Sequence, residues 1–133
     1  MLRYMLDTNI CIYVIKNRPV EVRDTFNQRA HHLCISSVTL AEMLYGAEKS
    51  AQPAQNLLVV ESFTARLEVL HFDSKAAAHF GQIRAPMERE GKIIGPYDLM
   101  IAAHARSQGL TLVTNNAEEF KRVPGLLLEN WVK

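Results

Sequence analysis

Four acidic residues sit where their chemistry could matter: Asp7, Glu42, Asp98 and Glu119. Asp7 ends the short apolar run Leu2–Leu6. Glu42 is embedded among Leu40, Ala41, Met43 and Leu44. Asp98 falls in the first turn after Pro96, and Glu119 follows the apolar run Leu110–Thr114. Carboxylates gathered at one place cannot all stay ionised unless cations neutralise them. An all-oxygen donor set suits the hard ions Mg²⁺ and Mn²⁺. Such ions polarise phosphoryl oxygens and lower the pKa of bound water, and a pair about 3.5–4 Å apart can stabilise both attacking and leaving oxygens. Neither a serine triad nor a histidine nucleophile is needed. Spacing alone leaves plainer roles open. Asp98 could be a favourable charge near a helix N-terminus, worth ~0.3–1 kcal/mol. Asp7 could help cap a helix, Glu42 could face water, and Glu119 could be one surface charge beside Glu118.

The elements that must position these acids follow from pattern and punctuation. Leu2–Leu6 reads as a buried strand that delivers Asp7 to its carboxyl end. Thr8 or Asn9 can cap a helix over Ile10–Lys16. Pro19 suits the first turn of a second helix, through Ala30. Leu33–Ser36 is a second buried strand, and Ser37 is the expected N-cap of a helix through Ala47. Pro53 opens a helix to about Arg66, and Glu68–Phe72 is a short strand. Asp73 or Ser74 caps a long helix to about Glu90, with Ala76, Phe80, Ile83 and Met87 on one face; Pro86 is expected to kink or split it. After Gly91 and Gly95, Pro96 begins a helix over Tyr97–Ser107, with Gly109 as terminator. Leu110–Thr114 is a strand, Ala117–Lys121 a helical turn, and Leu126–Leu128 a last strand. Strands alternating with helices predict an α/β domain with a mainly parallel sheet, helices on both faces and right-handed crossovers. In such sheets the ligand site lies beyond the carboxyl ends of the strands, where these acids fall.

The words around the acids are more specific than their spacing. Met5-Leu6-Asp7-Thr8-Asn9, the segment Ile35–Gly46 around Glu42, Gly95-Pro96-Tyr97-Asp98-Leu99-Met100-Ile101-Ala102 and Leu112-Val113-Thr114-Asn115-Asn116-Ala117-Glu118-Glu119-Phe120 occur in this order, followed by Val123-Pro124-Gly125. Together they resemble the four acidic motifs of PIN-domain ribonucleases, specifically the VapC-type toxins of bacterial type II toxin–antitoxin pairs. The resemblance spans essentially the whole chain and implies a three-layer PIN-like fold. It implies metal ligation by Asp7 and Asp98, with Glu42 completing or supporting the site and a further acid in the fourth motif. Asn116 stands where many relatives carry Asp, so Glu119 is the candidate for that charge. Asn9 and Thr114 are candidate supporting residues that hydrogen-bond the carboxylates. The implied activity is Mg²⁺-dependent endoribonucleolytic hydrolysis, with Mn²⁺ as substitute and a structured RNA such as tRNA as substrate. The implied partners are a VapB-type antitoxin, a second copy in a homodimer, and operator DNA in a larger complex.

Composition sets the bounds. The 133 residues suit one domain over 1–133, and 48% hydrophobic content argues against disorder. With 15 basic and 14 acidic residues there is no overall basic field, so phosphate binding would rest on local groups. Arg84, Arg89 and Lys92, Arg18 and Arg23, and Lys121 and Arg122 are the candidates. Tyr97 could stack an unpaired base, whereas Phe120 is expected in the core. Cys11 and Cys34 sit among apolar residues as buried thiols, without a metal-binding spacing. The five histidines show no ligand spacing, and His104 is expected to be structural. No membrane-length apolar run or signal peptide is evident, so a cytoplasmic location is expected. Two other readings compete: a PIN-type nuclease for DNA or RNA processing, disfavoured without an appended domain, and a silent binding module, disfavoured by the intact acids.

Overall fold

A computed structural model describes residues 1–133. Five parallel strands form one sheet in the order β3-β2-β1-β4-β5: β1 is Tyr4–Leu6, β2 Leu33–Ser36, β3 Glu68–Leu70, β4 Thr111–Val113 and β5 Leu127–Glu129. The helices are α1 (Thr8–Lys16), α2 (Val20–Gln28), α3 (Ser37–Glu48), α4 (Pro53–Thr64), α5 (Ser74–Arg89), α6 (Pro96–Ser107) and the single turn α7 (Ala117–Phe120). The sheet is thus wholly rather than mainly parallel.

The central strands are apolar except at the terminal Ser36 and Thr111, because both their faces are covered. Side chains alternate between the faces. Tyr4 and Leu6 of β1, Leu33 and Ile35 of β2, and Val113 of β4 pack against α1, α2 and α4. Met5, Cys34 and Leu112 point the other way, into a second core with α5 and α6. Helix α3 serves both cores, placing Met43 and Ala47 in one and Val38 in the other. Helix α6 is the most deeply set, with Ile101, Ala102, Ala103 and Ala105 fully buried. Its small residues let it lie close to the sheet and α5. It ends where Gly109 takes φ +67°, as expected, and the Leu110 N–H returns to the Ala105 carbonyl at 3.0 Å.

Several local expectations need correction. Of the caps the sequence allowed, Asp7 rather than Thr8 or Asn9 caps α1: its carboxylate accepts from the Ile10 N–H at 2.9 Å. Ser36, not Ser37, caps α3 by accepting from the Val38 N–H at 3.1 Å. In both cases the last strand-end residue already has the extended backbone a cap requires. Ser37 instead accepts from the Phe72 N–H at 3.0 Å, tying the end of β3 to α3. Pro19 precedes α2 rather than entering it, and a separate 3₁₀ turn covers Ala30–His32. Pro86 does not split α5, which runs unbroken to Arg89. The carbonyl deprived of its donor belongs to Gln82, an exposed residue, where water can replace the lost bond.

Candidate active site

β1 leads to β2 on one side and lies against β4 on the other, so strand order reverses beside β1. This reversal opens a crevice at the carboxyl ends of the strands. Asp7 leaves β1 there, and its N–H remains in the sheet, bonded to the Val113 carbonyl at 3.0 Å. Thr114 leaves β4 at the same level. Glu42 arrives on α3, which starts directly from β2, and Asp98 on the first turn of α6. Glu119 comes from α7, the turn after β4.

These acids form one electrostatic unit. Asp7 is 4% exposed, and burial raises its carboxyl above the usual range, with the Glu42 charge adding to the rise. The Thr114 hydroxyl and the N–H groups of Ile10 and Asn9 pull it back down. Asp98 is raised to about 6, first by burial and then by the charges of Glu42, Asp7 and Glu119. Asp98 is thus the group that feels all three of the other acids. No cation faces the group closely enough to pair with it: the salt bridges of the chain lie elsewhere.

The surrounding hydrogen bonds fix individual oxygens. Thr8 donates its hydroxyl to Glu42 Oε1 at 2.6 Å, joining α1 to α3. Thr114 Oγ1 accepts from the Asn116 N–H at 2.9 Å, leaving its proton for Asp7. Asn116 brings no charge; its amide donates to Glu119 Oε2 at 2.6 Å. Asn9 contributes its backbone N–H, while its side chain is exposed. Behind the acids, the buried His104 Nδ1 lies 2.8 Å from Ser36 Oγ, linking α6 to the point where β2 becomes α3. Burial holds the imidazole below its ordinary pKa, hence neutral. His104 is therefore structural, as its sequence setting suggested, and both cysteines are buried.

No three His, Cys, Asp or Glu side chains converge tightly enough to form a finished metal cage. The donor set nonetheless suits Mg²⁺, which keeps several of its waters and needs only one or two direct carboxylates.

Most of the basic candidates are engaged elsewhere. Arg84 pairs with Glu88 at 3.1 Å, Lys92 with Glu90 at 3.6 Å, Arg23 with Asp24 at 3.0 Å and Lys121 with Glu118 at 2.8 Å. Arg122 reaches the Ile93 carbonyl at 3.4 Å. Thr8, expected only as a helix cap, faces the site, and Lys49, for which the sequence suggested no role, lines the adjoining cleft. Thr8 adjoins Asp7, but its partner Glu42 lies 34 residues away. Phe120 is in the core, as expected, and Tyr97 is 60% exposed.

The sequence matches the PIN domain family over residues 4–126. The chain belongs to the PIN domain family. Within it, the similarity is to VapC proteins. The chain is 58% identical over 131 residues to the tRNA(fMet)-specific endonuclease VapC of Shigella flexneri, covering 98% of this chain and 99% of that protein. It is 58% identical over 132 residues to Ribonuclease VapC2 of Haemophilus influenzae strain Rd, covering 99% and 100%. The crystal structure of DNA-bound VapBC from Salmonella typhimurium contains a chain that matches with TM-score 0.95 at 57% identity, covering 99% of this chain and all of that one (100%). The PIN-like α/β fold expected from the motifs is therefore the fold observed.

Proposed function

We propose that the chain is an endoribonuclease toxin of the VapC type, hydrolysing RNA phosphodiester bonds with Mg²⁺, for which Mn²⁺ can substitute. The observation that carries this reading is the gathering of Asp7, Glu42, Asp98 and Glu119 at one sheet edge, where Asp98 is raised to about 6 without a neutralising cation. Asp7 and Asp98 would hold the ion, with Glu42 supporting and Glu119 supplying outer negative charge. The ion would polarise a phosphoryl oxygen and acidify water. The chain's own groups do the placing. Thr114 and the start of α1 fix Asp7. Thr8 donates to Glu42 Oε1 and fixes that carboxylate against α1. Asn116 holds Glu119.

A tRNA is the substrate class this reading favours, since the S. flexneri relative is named for tRNA(fMet). By the same likeness to VapBC assemblies, some of them on DNA, the partners are a VapB-type antitoxin, a second toxin copy, and operator DNA in the larger complex. The chain contains no helix long and apolar enough to cross a membrane, and action on cytoplasmic RNA fits this reading. The test is to incubate the purified chain with bulk tRNA and with initiator tRNA, in Mg²⁺, Mn²⁺, Zn²⁺ or EDTA, and to sequence the new ends. Discrete cleavage in Mg²⁺ and Mn²⁺ is expected, weak in Zn²⁺ and absent in EDTA. Robust cleavage in EDTA would contradict the reading.

A further inference from the structure

Beside the carboxylates lies a cleft of about 760 Å³, within the roughly 300–1,000 Å³ range of small-ligand sites. Thr8 and Glu42 form its border with the acidic cluster, and Val38 and Met100 give it apolar surface. Two tyrosines also line it: Tyr45, 65% exposed, and Tyr97, 60% exposed. By contrast, Tyr4 is buried in the core. Solvated aromatic faces are costly to leave bare and well suited to receiving another flat ring.

The cleft's walls are ordered with respect to the chemistry. Glu42, Tyr45 and Lys49 follow one another at spacings of three and four along α3, so they form a single stripe running away from the acids. The Lys49 ammonium lies 4.9 Å from the Tyr45 ring centroid. Lys92 and Lys121 are neutralised by glutamates, whereas Lys49 has only this ring. Across the cleft, Tyr97 immediately precedes Asp98 and sits in the first turn of α6, where Pro96 fixes the backbone. A ring stacked on Tyr97 would therefore lie one residue from the acid that feels the whole cluster.

We propose that this cleft is a subsite for one unpaired nucleobase of the RNA, adjacent to the phosphate that is cut. Tyr97 and Tyr45 supply the stacking faces and Lys49 an anchor for a neighbouring phosphate. The proposal rests on the ribonuclease reading above. Every base has a π-face, so such a subsite selects for an unstacked nucleotide more than for its sequence. Cleavage would then be confined to loops and single-stranded segments of a structured RNA. A purely apolar occupant fits less well, because it would cover the Lys49 ammonium, whose one contact is the Tyr45 ring, without giving it an anion.

The experiment uses the full chain and a tRNA that it cleaves, together with the same RNA made abasic at each nucleotide flanking the cut. Stacking on an aromatic contributes about 1–3 kcal/mol per base, which corresponds to about 5- to 150-fold. Tyr97→Ala is expected to lower kcat/KM by that factor, mostly through KM, whereas Tyr97→Phe retains activity. On the RNA that lacks the stacked base, wild type and Tyr97→Ala should cleave equally slowly. Tyr45→Ala should act in the same direction. Lys49→Gln should reduce the salt dependence of kcat/KM by about one phosphate contact, a slope change of roughly 0.7 on single strands. Because all three side chains line a solvent-open cleft, circular dichroism should show each variant folded.

Equal losses for Tyr97→Ala on intact and abasic RNA would overturn the subsite. So would wild-type cleavage by the Tyr97→Ala and Tyr45→Ala variants accompanied by weakened antitoxin binding, which would assign the cleft to the protein partner. If the wild-type chain cleaves no RNA in Mg²⁺, the ribonuclease reading itself fails, a result distinct from wild-type cleavage that the tyrosines do not affect.

Discussion

Two carboxylates end up beside the same residue of the sheet and have opposite surroundings. Leu6 of β1 and Glu129 of β5 both pair in register with Val113 of β4, and Asp7 follows Leu6 directly. Glu129 is compensated: it binds the Arg29 guanidinium and accepts from Trp131 Nε1 at 2.9 Å. Arg29 in turn lies over the rings of Tyr4 and Trp131, at 4.8 and 5.6 Å. Asp7 has only N–H groups and a hydroxyl, and it shares its edge with Glu42, Asp98 and Glu119. A carboxylate given a cation locks the C-terminal segment in place. Like charges left together without one store an attraction for a cation from outside, which is the usual mark of a functional site.

The largest contrast is expected from exchanging acid for amide at the two places. Asp7→Asn, Asp98→Asn and Glu42→Gln should each reduce RNA cleavage by about 100-fold or more, as loss of preorganised electrostatic groups does elsewhere. Their folds should persist, and metal-free Asp98→Asn should melt higher than wild type because repulsion is relieved. Glu129→Gln should do the reverse. It should keep cleavage while losing about 1–2 kcal/mol of stability, a half-exposed charge-assisted bond being worth no more. Cleavage assays and thermal melts of the four variants check both halves.

The antitoxin offers a second way to break the comparison. An arginine placed among the acids would give them what Arg29 gives Glu129, pairing bidentately and competing with Mg²⁺ for the same oxygens. Alanine substitution of each basic residue in the antitoxin's toxin-binding segment should then identify one that restores cleavage in the intact complex at little cost in affinity. If none does, the partner blocks RNA access by another route.

Acid titration should separate the two places further. Asp98 is raised from 3.8 to about 6, so the folded chain binds the extra proton within that window. Its contribution to stability is full below 3.8 and is lost as pH rises through about 6. His104 has the opposite sign: burial lowers its pKa, so its contribution is full above the ordinary 6.5 and lost as pH falls. In EDTA, the thermal midpoint of wild type relative to Asp98→Asn should therefore fall between pH 4 and 7. The stabilisation given by Mg²⁺ should grow across the same range. A pH-independent difference would separate Asp98 from the cluster.

The smallest effect belongs to the outer corner. Glu119→Gln and Asn116→Ala should slow cleavage by about tenfold, the low end for loss of a supporting partner, because they act on Asp98 from the exposed turn α7. Equal severity with Asp98→Asn would promote Glu119 to a direct ligand.

What could be read beforehand divides along similar lines. β1, β2 and β4 were legible because strands covered on both faces are short continuous apolar runs. The convergence of the acids on one edge was legible because each follows a strand end or rides a helix entered from one, within a recognisable word. The cap of α3 was misplaced by one residue and that of α1 left among three, since Ser36 and Asp7 serve the strand and the helix at once. The bond from Thr8 to Glu42 and the place of Lys49 in the cleft were missed because these groups adjoin only after α1 and α3 pack. Nor does sequence distinguish Glu129 from Asp7 as charges; only the arrival of Arg29, 100 residues away in the chain, does.

The most direct test of the carboxylate cluster as a metal site is Mn²⁺ binding followed by electron paramagnetic resonance, on wild type, Asp98→Asn and Glu129→Gln side by side. Wild type and Glu129→Gln should bind Mn²⁺ alike, and Mg²⁺ should displace it. Asp98→Asn should bind at least about tenfold more weakly. Equal Mn²⁺ affinity in Asp98→Asn and wild type would contradict the account.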